Sequence, residues 1–416
     1  MLKNFRVFIS KRMKTTQNNI MTVMSWSKRN RLLACGYKNG EVILNIINES
    51  RSQPGTLQAT TSQTLSQHKQ MITAIEWSDD GSLLLTGDKS GKIVFWACPH
   101  KMWKNKQVIS SVSSQINYIK WNRKSKMIAV AFQDGSFVYS YPNGESKWTI
   151  QIRQPIEYIE FSSNGQYLLC GTSYGEIIIL NENGVETGTV PLPCLSQSNT
   201  EPKIAALEYN PRSAYGLLVA FKGGQIQLMR NYFDSQPIAI KIEAEITSAT
   251  WFKSGSSFAI CTSKENNKNS VIFFDNQGNA LRELDVSGSK INSIATNIGD
   301  TQIALCSGDT FCLAQVLPTF LCAYTKNTLL YGFDNSLSSN YTLVYFNHIL
   351  RQKRVHSVEN VLNVSGNNGF FAIFSKDSKD INNSCIISIT DTIGVSISTA
   401  IIPFIPNYFT IYGDTV

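Results

Sequence analysis

An all-β fold is what the sequence predicts: a seven-bladed β-propeller followed by about two blades of an incomplete second propeller. Three observations predict it. A strand with apolar residues at its first, fourth and sixth places recurs along the chain, each copy is followed by a polar turn and a second apolar strand, and the copies are spaced about 40 to 50 residues apart, the period of propeller blades. The strand is clearest in ITAIEW, at Ile72, Ile75 and Trp77. It returns at Met21, Met24 and Trp26, at Ile116, Ile119 and Trp121, at Ile156, Ile159 and Phe161, at Ile204, Leu207 and Tyr209, at Ile246, Ala249 and Trp251, and most weakly at Ile291, Ile294 and Thr296.

The polar turns after the anchors read SDDGS, NRKSK and SSNGQ, and the second strands read LLLTG, MIAVA and YLLCG. In five copies the next turn ends in glycine, at Gly40, Gly91, Gly135, Gly175 and Gly224, where a positive φ would strain any Cβ. A four-stranded sheet of about 40 residues cannot bury both faces alone, so such units stack around an axis. The last blade still lacks an outer strand after FCLAQV. NFRVFIS, apolar at Phe5, Val7 and Ile9, supplies one and closes an open edge. No apolar run follows its basic residues, so a targeting peptide is not indicated, and no stretch approaches the 18 apolar residues of a transmembrane segment. Blade seven ends near Leu317, giving a first domain over 1–317 and a second over 318–416. The second carries TLLYGF, YTLVYF, FFAIFS and CIISIT between turn clusters, enough for about two blades.

Chemistry is scarce. Nine cysteines form no CxxC pair. Cys35, Cys170, Cys261 and Cys306 fall nine or ten residues after their anchors, where other copies carry Thr86, Val130 and Val219. That equivalence reads them as small buried strand residues distributed around the ring, not as metal ligands. An unpaired set with no secretory signal fits a reducing compartment. Asp79 and Asp80 precede Gly81 in a tight turn, and His68 stands before its strand in a structural position. His100, His348 and His356 lie in no catalytic spacing. VSGSK, from Val286, lacks the upstream glycine of a phosphate loop and reads as the connection between blades six and seven. NYT from Asn340 and NVS from Asn363 match a glycosylation pattern that has meaning only in the secretory lumen. The sequence therefore predicts no catalytic residues, no cofactor and no metal.

What remains is surface. The formal net charge is +8, and part of it clusters in equivalent turns of blades one and three: Lys28, Arg29 and Arg31, then Arg123, Lys124 and Lys126. Equivalent turns leave the same face, so these six residues form a candidate contact for an anionic surface. At about 1 kcal/mol per basic residue they give weak binding that counts in a multivalent assembly. Without interleaved aromatic residues, nucleic acid is not an expected partner.

Three stretches carry a family resemblance: VMSWSKRNRLLACGYKNGEVILNI, QTLSQHKQMITAIEWSDDGSLLLTGDKSGKIVFW and AFKGGQIQLMRNYFDSQPI. The glycine turns before IVFW resemble WD repeats in general. The longer stretches resemble the N-terminal propeller of the family of WD-repeat-containing protein thirty-five, a subunit of intraflagellar transport complex A. The resemblance implies a non-enzymatic scaffold, working with the other complex A subunits in retrograde ciliary transport, in the entry of membrane cargo into the cilium and in cilium assembly. It implies a place in the cytoplasm, cilium, basal body and axoneme. The family continues into a second propeller and a helical solenoid. Neither is complete here, so the chain reads as a fragment or a shortened relative, and solenoid contacts are not carried over. A coatomer-like vesicle-coat subunit is the alternative reading, and a propeller enzyme, which needs His, Asp or Glu converging on the channel, is a more distant one.

Overall fold

The computed structural model describes residues 5–14, 20–27, 29, 31–50, 56–99, 102–110, 112–122, 126–195, 202–213, 216–264, 268–307, 310–318, 321–334, 340–376 and 384–404. Two units emerge, Phe5–Leu317 and a second holding Pro318–Val416.

Among the described residues, the first unit holds seven four-stranded antiparallel sheets. Their innermost strands are Met21–Trp26, Ile72–Trp77, Ile116–Trp121, Ile156–Phe161, Ile204–Tyr209, Glu245–Trp251 and Ile291–Thr296, so the sequence pattern identifies the inner strand of every sheet. Each inner strand breaks register between its first and third pattern places, as between Ile72 and Ala74 or Ile116 and Tyr118. The bulge at the second place lets places one, four and six face the core while two, three and five turn towards the axis. Ile72 and Trp77 are fully buried, and Thr73 and Glu76 are half-buried.

Blades touch through their second strands. A Cβ on Gly36 would meet Ile72 and Ile75 of the next blade, and one on Gly87 would meet Ile116 and Ile119. The small residue is required because a neighbouring isoleucine packs directly on the backbone. The turn glycines have a different reason. Gly91 has a φ of +88°, and a Cβ there would collide with the Val112 carbonyl.

The cysteine equivalence needs correction. Cys35 and Cys170 pair with Met24 and Ile159, as Thr86 pairs with Ile75. Cys261 and Cys306 instead pair with Ser248 and Ser293, one place further on, matching Gly36 and Gly87. In a strand one place reverses the face. Cys306 therefore points at the following blade and shares a core with Cys35 at the junction of blades seven and one, so these two thiols are not distributed around the ring. Burial pushes both thiols up to about 12, which keeps them protonated and inert.

The last sheet takes its outer strand from the other end of the unit. Its order, from the outside, is Phe5–Lys14, Thr310–Pro318, Gln302–Ser307 and Ile291–Thr296. Val286 and Ser287 of VSGSK end the strand Ala280–Ser287 instead of standing in a loop, and Arg12 of the N-terminal strand bonds the Ser287 carbonyl at 3.2 Å.

The second unit holds two four-stranded sheets among its described residues. One runs Leu321–Thr325, Thr328–Asp334, Asn340–Asn347 and Gln352–Glu359. The other runs Val361–Asn367, Phe370–Lys376, Cys385–Thr390 and Ser396–Ile402. They share a core of Leu330, Leu343, Tyr345, Val361, Phe371 and Ile373.

Candidate functional site

Several of the turns that join inner to second strands are bonded to the turn of a neighbouring blade. Asn122 donates from Nδ2 to the Gly165 carbonyl at 3.0 Å, and Asn210 does the same to Gly255 at 2.8 Å. The Asp300 carboxylate accepts the backbone N–H groups of Lys253 and Ser254 at 2.6 and 2.7 Å. These bridges join the turns of blades three and four, five and six, and six and seven. Arg29 and Arg31 of the blade-one turn are exposed, as is Lys126 of the blade-three turn, which sits at a φ of 57°. Lys28, Arg123 and Lys124 lie outside the described residues. Asp80 belongs to the equivalent turn of blade two. Hydrogen bonds from the Ser78 and Ser82 hydroxyls and the Ser82 N–H hold its carboxyl down to about 2.

The histidines go elsewhere. His68 is buried in a network of blade two: Nδ1 lies 2.7 Å from Asp88 Oδ2, Nε2 lies 2.7 Å from Thr86 Oγ1, and Trp96 Nε1 donates to the same hydroxyl at 2.8 Å. His348 meets Tyr324 at 3.0 Å and His356 meets the Ile393 carbonyl at 3.1 Å. His100 lies outside the described residues. Among the described residues no group of three or more His, Cys, Asp or Glu is placed to hold a metal ion, and no helix is long and apolar enough to cross a membrane.

A feature that the sequence reading passed over lies on the axis. The place before the aromatic anchor carries Ser25, Glu76, Lys120, Glu160, Glu208, Thr250 and Ala295 in successive blades. Its signal was a charged residue in four consecutive copies, visible only once the repeats are read as columns. Lys120 Nζ lies 2.8 Å from Glu160 Oε2. Burial alone would depress the Lys120 ammonium, but Glu160 first, then Tyr118, Glu76 and Glu208, outweigh it and raise the pKa. Glu160 and Glu208 also clip blade to blade, accepting the backbone N–H groups of Tyr209 at 3.3 Å and Trp251 at 3.0 Å. The axis is open, with a cavity of about 820 Å3 that Glu76, Lys120 and Glu208 line on one side and Ser25, Thr250 and Ala295 on the other.

Seven repeated sheets with bulged inner strands, glycine turns and one buried Asp-His-Thr-Trp network define a WD-repeat β-propeller. The particular family is shown by sequence: the family described as WDR35/TULP4 N-terminal matches residues 5–317, and the chain belongs to it. It is similar to WD repeat-containing protein 35 of Homo sapiens, 23% identical over 390 residues that cover 89% of this chain and 33% of that protein. The protein of the same name from Rattus norvegicus is 22% identical, covering 96% and 36%. Tubby-related protein 4 of Mus musculus is 21% identical over 60% of this chain and 19% of its own length. The chain thus spans about a third of the length of the curated WD repeat-containing protein 35 relatives it matches. Among solved structures, the Cps50 (Swd1) β-propeller domain of Myceliophteria thermophila superposes with a TM-score of 0.59 at 14% identity, covering 74% of this chain and 99% of that one. This likeness shows the fold.

Proposed function

We propose that the chain is a non-enzymatic scaffold subunit of intraflagellar transport complex A, supporting retrograde ciliary transport, ciliary entry of membrane proteins and cilium assembly through protein contacts. The observation that carries this reading is similarity to WD repeat-containing protein 35 over nine-tenths of the chain, extending past the first unit into the second. Its partners are the other complex A subunits, and its place is the cytoplasm, basal body and axoneme. Propeller rims suit such work because each blade adds exposed turns to a rigid frame. Affinity capture of the tagged chain from ciliated cells at native expression is expected to recover complex A subunits. Recovery of coatomer instead would replace this reading with the vesicle-coat one.

The basic turns give the scaffold a contact with anionic membrane. The three described members, Arg29, Arg31 and Lys126, are exposed, which supports this reading. Lys28→Glu, Arg29→Glu, Arg123→Glu and Lys124→Glu together are expected to abolish flotation with phosphatidylserine vesicles in low salt. At about 1 kcal/mol per basic residue, four reversals outweigh what the face supplies. Undiminished flotation of the folded variant ends the idea.

A further inference from the structure

The channel combines features that the scaffold reading does not use. Its Lys120 is taken up by Glu160 at 2.8 Å, and Glu208 already accepts the Trp251 N–H. Among the described residues Glu76 has no hydrogen bond or ion pair, although it faces the cavity. Lys120 is one cation against the three carboxylates Glu76, Glu160 and Glu208 at this place of the inner strands, and with Glu160 taking it at 2.8 Å the channel wall keeps net negative charge at Glu76 and Glu208. Beside them Tyr118 and Tyr158 stand with ring centroids 5.7 Å apart, both lining the cavity. Aromatic faces beside carboxylates attract a cation twice over, through the ring quadrupole and through charge. The opposite wall is Ser25, Ser248, Thr250, Ser293 and Ala295, side chains too short to fill the space.

The two mouths differ. On the basic-turn face the opening carries Lys253, which repels a cation. On the other face it is walled by Thr22, Thr73, Asn117, Thr247 and Asn292, with Glu157 and Lys222 also at the lining. From the second place of an inner strand to the fifth is about 10 Å at roughly 3.3 Å per residue, a depth that suits a long side chain over a bulky group. Arginine fits better than lysine, because its planar guanidinium can stack on a tyrosine while donating to a carboxylate.

We propose that this channel receives one arginine side chain from an extended segment of a partner protein, entering from the face opposite the basic turns and ending against Glu76 and the Tyr118–Tyr158 pair. The inference rests on cavity shape and charge, and stands whether or not the chain works in cilia.

The probe is a pooled nonapeptide library, fluorescein-labelled, with a fixed central arginine and neutral flanks, compared by anisotropy with the same pool carrying citrulline, the uncharged isostere. The arginine pool is expected to bind about ten-fold more tightly, a difference of about 1.4 kcal/mol, and Glu76→Gln is expected to erase that preference. The thermal midpoint of the variant should stay in place, since Glu76 holds no bond to lose. A Tyr118→Leu variant should weaken the arginine pool and leave the citrulline pool unchanged. Equal binding of the two pools, no binding to either, or an arginine preference that survives Glu76→Gln would each overturn the proposal.

Discussion

Removal of residues 1–14 is expected to abolish cooperative folding of the first unit, and Phe5→Ala alone to cost about 3–5 kcal/mol. The strand Phe5–Lys14 is the outer strand of the last sheet, so its loss uncovers the edge of Thr310–Pro318, an unpaired row of N–H and C=O groups that invites intermolecular pairing. Its anchor is Phe5, 1% exposed, whose ring meets Phe273 edge-on at 5.4 Å. Further along, Ser10 Oγ accepts the Leu57 N–H at 2.7 Å and Arg12 bonds the Ser287 carbonyl at 3.2 Å. The strand therefore touches the outer strands of blades one and six as well as completing blade seven. Phe8, on the same strand but 39% exposed, supplies the control: Phe8→Ala should stay within about 0.5 kcal/mol. Urea denaturation of both variants measures this. A Phe8 cost above the Phe5 cost would mean that the strand is one residue out of register, and a soluble, cooperatively unfolding truncation would mean that the ring does not need it.

The expectation of a closing strand rested on two facts: alternating apolar residues at one end of the chain and a missing strand after FCLAQV. The inner strands were legible for a similar reason, since one place in each copy must be large and apolar to fill the space between blades. Face assignment inside the second strands was harder. Cys261 and Cys306 look equivalent to Cys35 by approximate distance from the anchor, yet the three strands begin at the same distance and these two cysteines stand one place further along, and a strand turns an offset of one into the opposite face. The channel charges were unread for a different reason. Glu76, Lys120, Glu160 and Glu208 each look like ordinary polar residues in an alternating strand, and only closure of the ring brings Lys120 and Glu160 to 2.8 Å. The expectation that Arg29, Arg31 and Lys126 share one face rests on repeat equivalence alone and needs no long-range information.

Asp88→Ala is expected to destabilise the first unit by about 3–5 kcal/mol, the cost of removing one partner from a buried charged network. Trp96 donates to Thr86 Oγ1. With His68 protonated on Nδ1, that hydroxyl donates in turn to Nε2, and the ring donates to Asp88 Oδ2. The other carboxylate oxygen, Oδ1, accepts the Ser90 N–H at 2.8 Å, the Ser90 hydroxyl at 2.6 Å and the Lys92 N–H at 3.2 Å, so Asp88 fixes the turn between the second and third strands of the blade. Blade one keeps only a remnant at this place, Asn45 Nδ2 against Cys35 Sγ at 3.7 Å, and blade three carries Val130. Burial opposes the Asp88 charge, but hydrogen bonds from His68 and Ser90 outweigh it and hold the carboxyl below its ordinary range. The unfolded chain is then the better proton acceptor. The contribution of Asp88 is complete above the unfolded carboxylate range near about 4 and fades as pH falls through the lower folded value. Denaturation from pH 7 downwards should show the gap between the wild type and Asp88→Asn narrowing below about pH 4. Because a missing partner costs more than a missing network, the triple change His68→Leu, Thr86→Val and Asp88→Val should destabilise less than the three single changes added together. Additive costs would show instead that the three side chains act separately, each held by packing and none by the bonds between them.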